Sequence, residues 1–387
     1  MTTPGRLELV VDTRLQSWIR LAQCDALKPR MLHALLSELR SPEVILDASA
    51  STLSRIVPAE VAQAIRSSRS ATGEQGIDAT IEWASTAGNL LLTWDDERYP
   101  KALLELTDPP PMLFCRGEPA RLNEPALAMV GSRNASPGGL QTAEEFAEAF
   151  ASSGVNVVSG LALGIDGAAH RGALKAAGPA STIAVIGTGI DRVYPARNRD
   201  LAHQIAGRGI IVSEFALGTP PLAYNFPRRN RLISGLARGV LVVEAALNSG
   251  SLITARFAAE QGKDVFAIPG SIHSPFSKGC HRLIKDGAKL VETAADVLEE
   301  LGLAAAVSAR SRGKTRSDAV GGRLAPLGEP GEDDRQLLDA LGYDPVSADE
   351  AVSRTGWSIE RVLSTLLHLE LGGSVARLPG DRVQRVS

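Results

Sequence analysis

The sequence predicts an α/β protein built on a doubly wound, mainly parallel sheet, with a helical module before it and a three-helix, two-strand module after it. Three observations predict this. Between residues 125 and 300, short apolar runs alternate with helical stretches. The loops that follow several of those runs are rich in glycine and serine. The flanks, by contrast, carry apolar residues at helical spacing.

Residues 12–70 read as short helices. Leu15, Trp18, Ile19 and Ala22 share one helical face, as do Met31, Leu32, Leu35, Leu36 and Leu39. Pro29 is placed to open the second helix, and Ser41-Pro-Glu43 and Ser51-Thr-Leu53 start further ones. A helix-hairpin-helix needs glycine in its turn to bring the backbone close to a phosphate. The turn Asp25-Ala-Leu-Lys-Pro-Arg30 has none, so this module reads as structural or partner-binding. Residues 71–124 form a connector with turn signals at Tyr99-Pro100 and Asp108-Pro-Pro-Pro111, and with edge strands at 90–93 and 112–115.

Buried parallel strands are expected at 126–130, 155–159, 183–186, 210–213, 240–243 and 265–268. Helices are expected at 141–153, 165–177, 198–206 and 252–261. Ligands of such sheets bind at the carboxyl ends of the strands. Residues 302–331, rich in Ala, Gly, Ser and Arg, read as a linker. Gly313-Lys-Thr315 within it lacks the earlier glycine and the strand of a phosphate loop. At the C-terminus, helices at 334–341, 347–354 and 358–371 precede a hairpin, 375–378 and 382–386, around Pro379-Gly-Asp381. That is a winged-helix pattern. Residues 332–387 hold ten acids and six arginines, a net charge of −4, and the third helix offers only Arg361 as a cation. Reading duplex DNA requires phosphate neutralisation, so a protein-interaction wing is the preferred reading.

Composition narrows the function classes. Lys and Arg number 41 against 44 Asp and Glu, a net charge of −3 over 387 residues. This excludes a globally basic nucleic-acid coat and leaves room for a local basic patch. No apolar run approaches the ~18 residues of a membrane span. Residues 1–20 carry Glu8, Asp12 and Arg14 and do not read as a signal peptide. Cys24, Cys115 and Cys280 are scattered, with no CxxC pair, so they read as buried thiols in a reducing cytoplasm. No GxGxxG, GxSxG or HExxH occurs, so neither a dinucleotide cofactor nor a metal is expected. His170, on a helix after Asp166, reads as a packing or capping residue.

The strand-end loops carry the functional signal. Gly131-Ser132-Arg133, Ser159-Gly160, Gly187-Thr-Gly189 and Asn248-Ser-Gly-Ser251 each follow an apolar run. Glycine lets the backbone approach a ligand, and backbone N–H groups at a helix start face an anion. Several such loops on one edge describe an anion groove. The segment Asn225-Phe226-Pro227-Arg228-Arg229-Asn230-Arg231 adds three arginines suited to phosphate, with Phe226 and Tyr224 placed to stack a base.

These motifs, in this order and extended by Ser-Gly-Leu-Ala-Leu-Gly-Ile-Asp at 159–166, Val-Ile-Gly-Thr-Gly at 185–189, Ser-Gly-Ser-Leu-Ile-Thr-Ala at 249–255, Pro269-Gly270 and Gly279-Cys-His-Arg-Leu-Ile284, resemble the DprA/Smf family. The match spans about residues 90 to 300. The resemblance implies a Rossmann-like domain, an N-terminal module of the SAM or helix-hairpin-helix kind, and a C-terminal winged helix. The expected domains are 1–75, 76–301 and 332–387, with 302–331 as linker. It further implies a cytoplasmic, non-enzymatic protein of natural transformation that binds and protects single-stranded DNA, loads RecA and forms a homodimer through the Rossmann-like domain. By match to the family's motifs, the expected DNA-binding residues are Gly131, Ser132, Arg133, Ser159, Gly160, Phe226, Arg228, Arg229, Asn230, Arg231, Gly250 and Ser251. The alternative is a nucleotide-binding enzyme resembling nucleoside-monophosphate phosphoribohydrolases. Phe257 stands where that group carries its catalytic glutamate, three positions after Thr254, and only Glu244 or Glu214 remain to replace it.

Overall fold

A strand buried on both faces, such as Ala126–Val130, is stable only inside a sheet covered on both sides. The computed structural model describes residues 13–68, 74–303, 331–343, 345–378 and 380–386. Among them, nine strands build one such sheet: β1 (Asn89–Thr93), β2 (Met112–Gly117), β3 (Ala126–Val130), β4 (Asn156–Ser159), β5 (Thr182–Val185), β6 (Ile210–Ser213), β7 (Gly239–Val242), β8 (Asp264–Ala267) and β9 (Lys289–Leu290). Their order is β1-β2-β6-β5-β4-β3-β7-β8-β9. Strands β3 to β9 pair in parallel, and β1 and β2 extend the sheet antiparallel beyond β6. From β3 the chain steps outward through β4, β5 and β6, then returns to place β7 on the other side of β3. Strand order therefore reverses between β3 and β7.

Side chains alternate across the sheet with period two. Ala126, Ala128 and Val130 pack under α11 (Asn225–Leu236) and α12 (Ser251–Glu260), against Leu232, Ile233, Leu236, Ala255 and Ala258. Leu127 and Met129 face the opposite layer, formed by α8 (Pro137–Ser152) and α9 (Ile165–Lys175) with Phe146, Phe150, Ile165 and Ala168. Between β5 and β6, α10 (Arg199–Arg208) packs Leu201 and Ile205 on Ala184 and Ile211. Helices α13 (Lys278–Lys285) and α14 (Ala294–Glu300) flank β9. Each of the six expected buried strands is present within one residue at either end.

Five helices, α1 (Thr13–Ala22), α2 (Pro29–Leu39), α3 (Pro42–Asp47), α4 (Ala50–Leu53) and α5 (Ala59–Ser67), share a core of Trp18, Leu32, Leu35, Ile45, Val61 and Ile65. Pro29 opens α2, and the Ser41 hydroxyl accepts the Val44 N–H to cap α3. The cap of α4 is Ser49, two residues before the expected start. Two expectations for the connector are corrected. It contains a full helix, α6 (Glu74–Ala84), whose Ile77 packs with Ile19 on Phe114 of the sheet, as well as the short α7 (Lys101–Leu104). The strand at 112–117 is not at the edge; β2 pairs with β1 on one side and β6 on the other, and its apolar residues Met112 to Cys115 are all buried there.

The C-terminal module has α15 (Glu332–Leu341), α16 (Ala348–Thr355) and α17 (Ile359–Leu371), with β10 (Val346–Ser347), β11 (Val375–Leu378) and β12 (Arg382–Arg385) in the order β10-β12-β11. This is a winged helix; the short β10 is an addition to the expected hairpin. The expected linker lies almost wholly outside the described residues.

Helices α8 and α9 approach so closely that a Cβ on Gly172 would sit 2.1 Å from the Glu144 carbonyl oxygen. Gly172→Ala is expected to force the pair apart and cost about 1–3 kcal/mol. Urea unfolding measures it, and an unchanged midpoint would contradict this packing.

Candidate functional site

Where strand order reverses, no crossover helix covers the loops on either side, and a crevice opens at the strand ends. Here it is a cavity of about 340 Å³. Its walls are Gly131 to Asn134 after β3, Asn248 to Ser251 after β7, and Asn230 of α11.

The β3 loop is fixed by its own backbone. The Ser132 N–H donates to the Glu244 carbonyl at 2.7 Å, and the Ser132 carbonyl accepts the Ile165 N–H at 3.1 Å. Gly131 passes between those neighbours. A Cβ there would lie 2.5 Å from the Ile165 side chain and 2.8 Å from the Glu244 carbonyl oxygen, so only glycine fits. Glu244 also holds the start of α8. Its carboxylate accepts the Ser136 N–H at 2.9 Å and the Ser136 hydroxyl at 2.6 Å. Burial raises its pKa, against these two hydrogen bonds. On the far wall, the Ser249 and Ser251 hydroxyls lie 2.7 Å apart, and the Asn230 amide donates to the Gly250 carbonyl at 3.4 Å.

The β4 loop is held by a buried polar set that sequence reasoning did not assemble. The Asp166 carboxylate accepts the N–H groups of Gly160 at 3.1 Å and Ala162 at 3.4 Å. Asn198 donates to the carbonyls of Leu161 and Ala162. His170 Nε2 accepts the Leu161 N–H at 3.3 Å, and its Nδ1 meets the Thr182 hydroxyl at 2.6 Å. That hydroxyl donates onward to the Val157 carbonyl, so Nδ1 carries the proton. Leu161 itself has φ of 58°, a conformation that needs such support. The signal available in the sequence was the Asp166–His170 spacing, four residues apart on one face of α9.

The basic segment forms the first two turns of α11, and its arginines part company. Arg228 is exposed, 3.3 Å from Glu214 and 5.7 Å from the Phe215 ring centre. Arg231 is buried and paired with the buried Glu214 carboxylate. Burial raises the Glu214 pKa, opposed by the charges of Arg231 and Arg228. Arg229 is only 4% exposed. Burial pulls its pKa down to about 10, against the attraction of Asp166. Its Nη1 would lie 1.6 Å from a Cβ on Gly160, so that glycine makes room for the guanidinium. The Nε and Nη1 groups of Arg229 have no acceptor among the described residues.

Arg133 is exposed and sits 5.7 Å from the Phe226 ring centre. Phe226 lies over Gly187 and 5.5 Å from the Tyr194 ring. Tyr194 and Tyr224 are both exposed, and Tyr194 was not anticipated. Ser159 faces inward, its hydroxyl donating to the Met129 carbonyl at 2.6 Å. The structure thus brings Gly131, Ser132, Arg133, Asn230, Gly250 and Ser251 to one cavity, with Phe226 next to Arg133 at the end of β5 and Arg228 over Phe215 at the end of β6. Ser159, Gly160, Arg229 and Arg231 lie beneath the surface. Both carboxylates considered for acid–base work, Glu214 and Glu244, are already engaged. The three cysteines are buried.

This geometry can be set beside known proteins. A family model described as DNA recombination-mediator protein A matches residues 90–302. The chain belongs to that family. A second model, the DprA winged helix domain, matches residues 323–381. Protein Smf of Escherichia coli (strain K12) is 40% identical over 97% of this chain and 96% of its own length. The X-ray structure of DNA processing protein A from Streptococcus pneumoniae is 37% identical, covering 74% of this chain and 97% of its own, with a TM-score of 0.64. A Helicobacter pylori DNA processing protein A structure, described by its single-stranded DNA binding mode, is 32% identical over 55% of this chain and 95% of its own, with a TM-score of 0.50. Among the described residues, no helix is long and apolar enough to cross a membrane.

Burial lowers the His170 pKa to about 3, whereas the unfolded imidazole titrates near 6.5. The unfolded state therefore takes up the proton first as pH falls, and stability present above pH 6.5 is lost below it. From pH 7 to 5 the loss from this residue is expected to be about 2 kcal/mol. Urea unfolding should show that slope in the wild type and a flatter one in His170→Gln; equal slopes would contradict the assignment.

Proposed function

We propose that this protein binds single-stranded DNA along the strand-end groove and acts as a non-enzymatic recombination mediator. It protects incoming DNA and loads RecA onto it in natural transformation, in the cytoplasm. The observation that carries this reading is the make-up of one edge of the sheet. Backbone-lined loops after β3 and β7 suit phosphate, exposed Arg133 and Arg228 supply charge, and Phe226, Tyr194 and Tyr224 supply faces for unstacked bases. Gly131, Ser132, Asn230, Gly250 and Ser251 are proposed to meet the backbone of the strand. Buried Arg229, Arg231, Ser159 and Gly160 are proposed to shape the groove. The division into 1–75, 76–301, 302–331 and 332–387 is retained as part of this proposal.

RecA loading is supported by the recombination-mediator description of the matched family. A homodimer through the Rossmann-like domain is supported by a groove of about 760 Å³ beside α12 and α13, where Leu247, Leu252 and Leu283 line the wall among charged residues that include Arg256, Arg282 and Asp286. Light scattering is expected to give twice the chain mass for the wild type and the single-chain mass for Leu247→Glu; a monomeric wild type contradicts the dimer.

Binding should be tolerant of sequence and weaken steeply with salt. Arg133→Ala is expected to reduce oligo-dT affinity by about tenfold and to lower the salt slope by about 0.7. Fluorescence anisotropy across a salt series measures both, and unchanged affinity would remove Arg133 from the groove. Release of free base from nucleoside monophosphates at enzymatic rates would favour the phosphoribohydrolase reading instead.

A further inference from the structure

The third helix of the winged-helix module, α17, buries Val362, Thr365, Leu366 and Leu369 in its own core. A second apolar row runs along its outer face. Ile359, Leu363, Leu367 and Leu371 recur every four residues and are between 42% and 73% exposed. Each step of four turns roughly 40° around the helix, so the row sweeps a broad band roughly 18 Å long. Solvent-facing helix positions are normally polar, and four large aliphatic side chains in one row mark a contact surface.

The charges around this row are sorted. Glu360 falls within its arc and makes no ion pair among the described residues, while Glu370, also within it, pairs with Arg377 of β11 at 2.8 Å. The helix's cations lie on the opposite side and are engaged by α15. Arg361 pairs with Asp333 at 2.7 Å and stacks 4.0 Å from the Trp357 ring centre, and His368 Nδ1 meets Asp334 at 3.0 Å. The module as a whole carries a net charge of −4. A winged helix that reads duplex DNA through this helix presents cations there; this one presents leucine and carboxylate. A second copy is a poor occupant, because it offers Glu360 no spare cation from this face: its Arg361 is held by Asp333 and its Arg377 by Glu370.

We propose that the exposed face of α17 docks an amphipathic helix of a partner protein whose apolar face is flanked by lysine or arginine. Leu363 and Leu367 at the centre of the row are the anchors, and Glu360 selects for basic flanks. The proposal does not depend on how the Rossmann-like domain binds DNA.

The test uses the full-length protein and two synthetic helical peptides with identical leucine faces, one flanked by lysine and one by glutamate, read by fluorescence anisotropy. The lysine peptide is expected to bind, the glutamate peptide about tenfold more weakly or not at all. Leu363→Ser/Leu367→Ser should weaken the lysine peptide by about tenfold while leaving oligo-dT binding unchanged. Should the double variant lose its fold by circular dichroism, Glu360→Lys carries the test, and should reverse the preference between peptides. Equal binding of both peptides, no binding of either, or unchanged binding by the variants overturns the proposal. So does self-association in the ultracentrifuge that the leucine substitutions abolish, which would assign the face to a second copy.

Discussion

The reversal of strand order beside β3 is the constraint on which the rest depends. Strands β4 to β6 build outward on one side and β7 to β9 on the other, so the loops after β3 and β7 diverge and cannot cover each other. The gap is usable only if the β3 loop stays thin and rigid. Gly131 meets the first need, since a Cβ would strike Ile165 and the Glu244 backbone. The Ser132 and Glu244 hydrogen bonds meet the second. Loops held this way keep their shape, so they need no ordering when a ligand enters the groove.

Beneath the groove the protein carries an expensive set of buried polar groups. Burying a charge costs several kcal/mol unless it is paired. Arg231 and Glu214 pair directly, Arg229 lies near the Asp166 carboxylate, and His170 stays neutral. The β4 loop gains a defined shape from this set, including the positive φ at Leu161. The end of α11 is secured separately by Lys263, whose ammonium donates to the carbonyls of Ser234 and Gly235 at 2.8 and 2.7 Å. The exposed cations Arg133 and Arg228 therefore stand on a rigid base.

Much of the sheet was legible in the sequence because strands buried on both faces become unbroken apolar runs, as in Ala126–Val130 and Ile210–Ser213. The helix α6 was obscured by surrounding turn residues, although Ile77, Ile81 and Ala84 keep helical spacing. The position of β2 inside the sheet was not legible, because antiparallel pairing with β6 depends on a contact nearly a hundred residues away. The residue types of the groove were legible; their depth was not fully read. Arg229 shares a helical face with Asn225, Leu232, Ile233 and Leu236, all buried, and that phase marks it as an inward residue. The Asn198 and Thr182 contributions to the β4 loop come from distant segments and carry no local signal.

Amide hydrogen exchange with and without saturating oligo-dT tests the central claim most directly. Protection is expected to rise in segments 130–134, 224–231 and 246–252 together, since they surround one groove, with no change at 359–371. Protection confined to the winged-helix module, or spread evenly over the surface, would contradict a strand-end groove as the DNA-binding site.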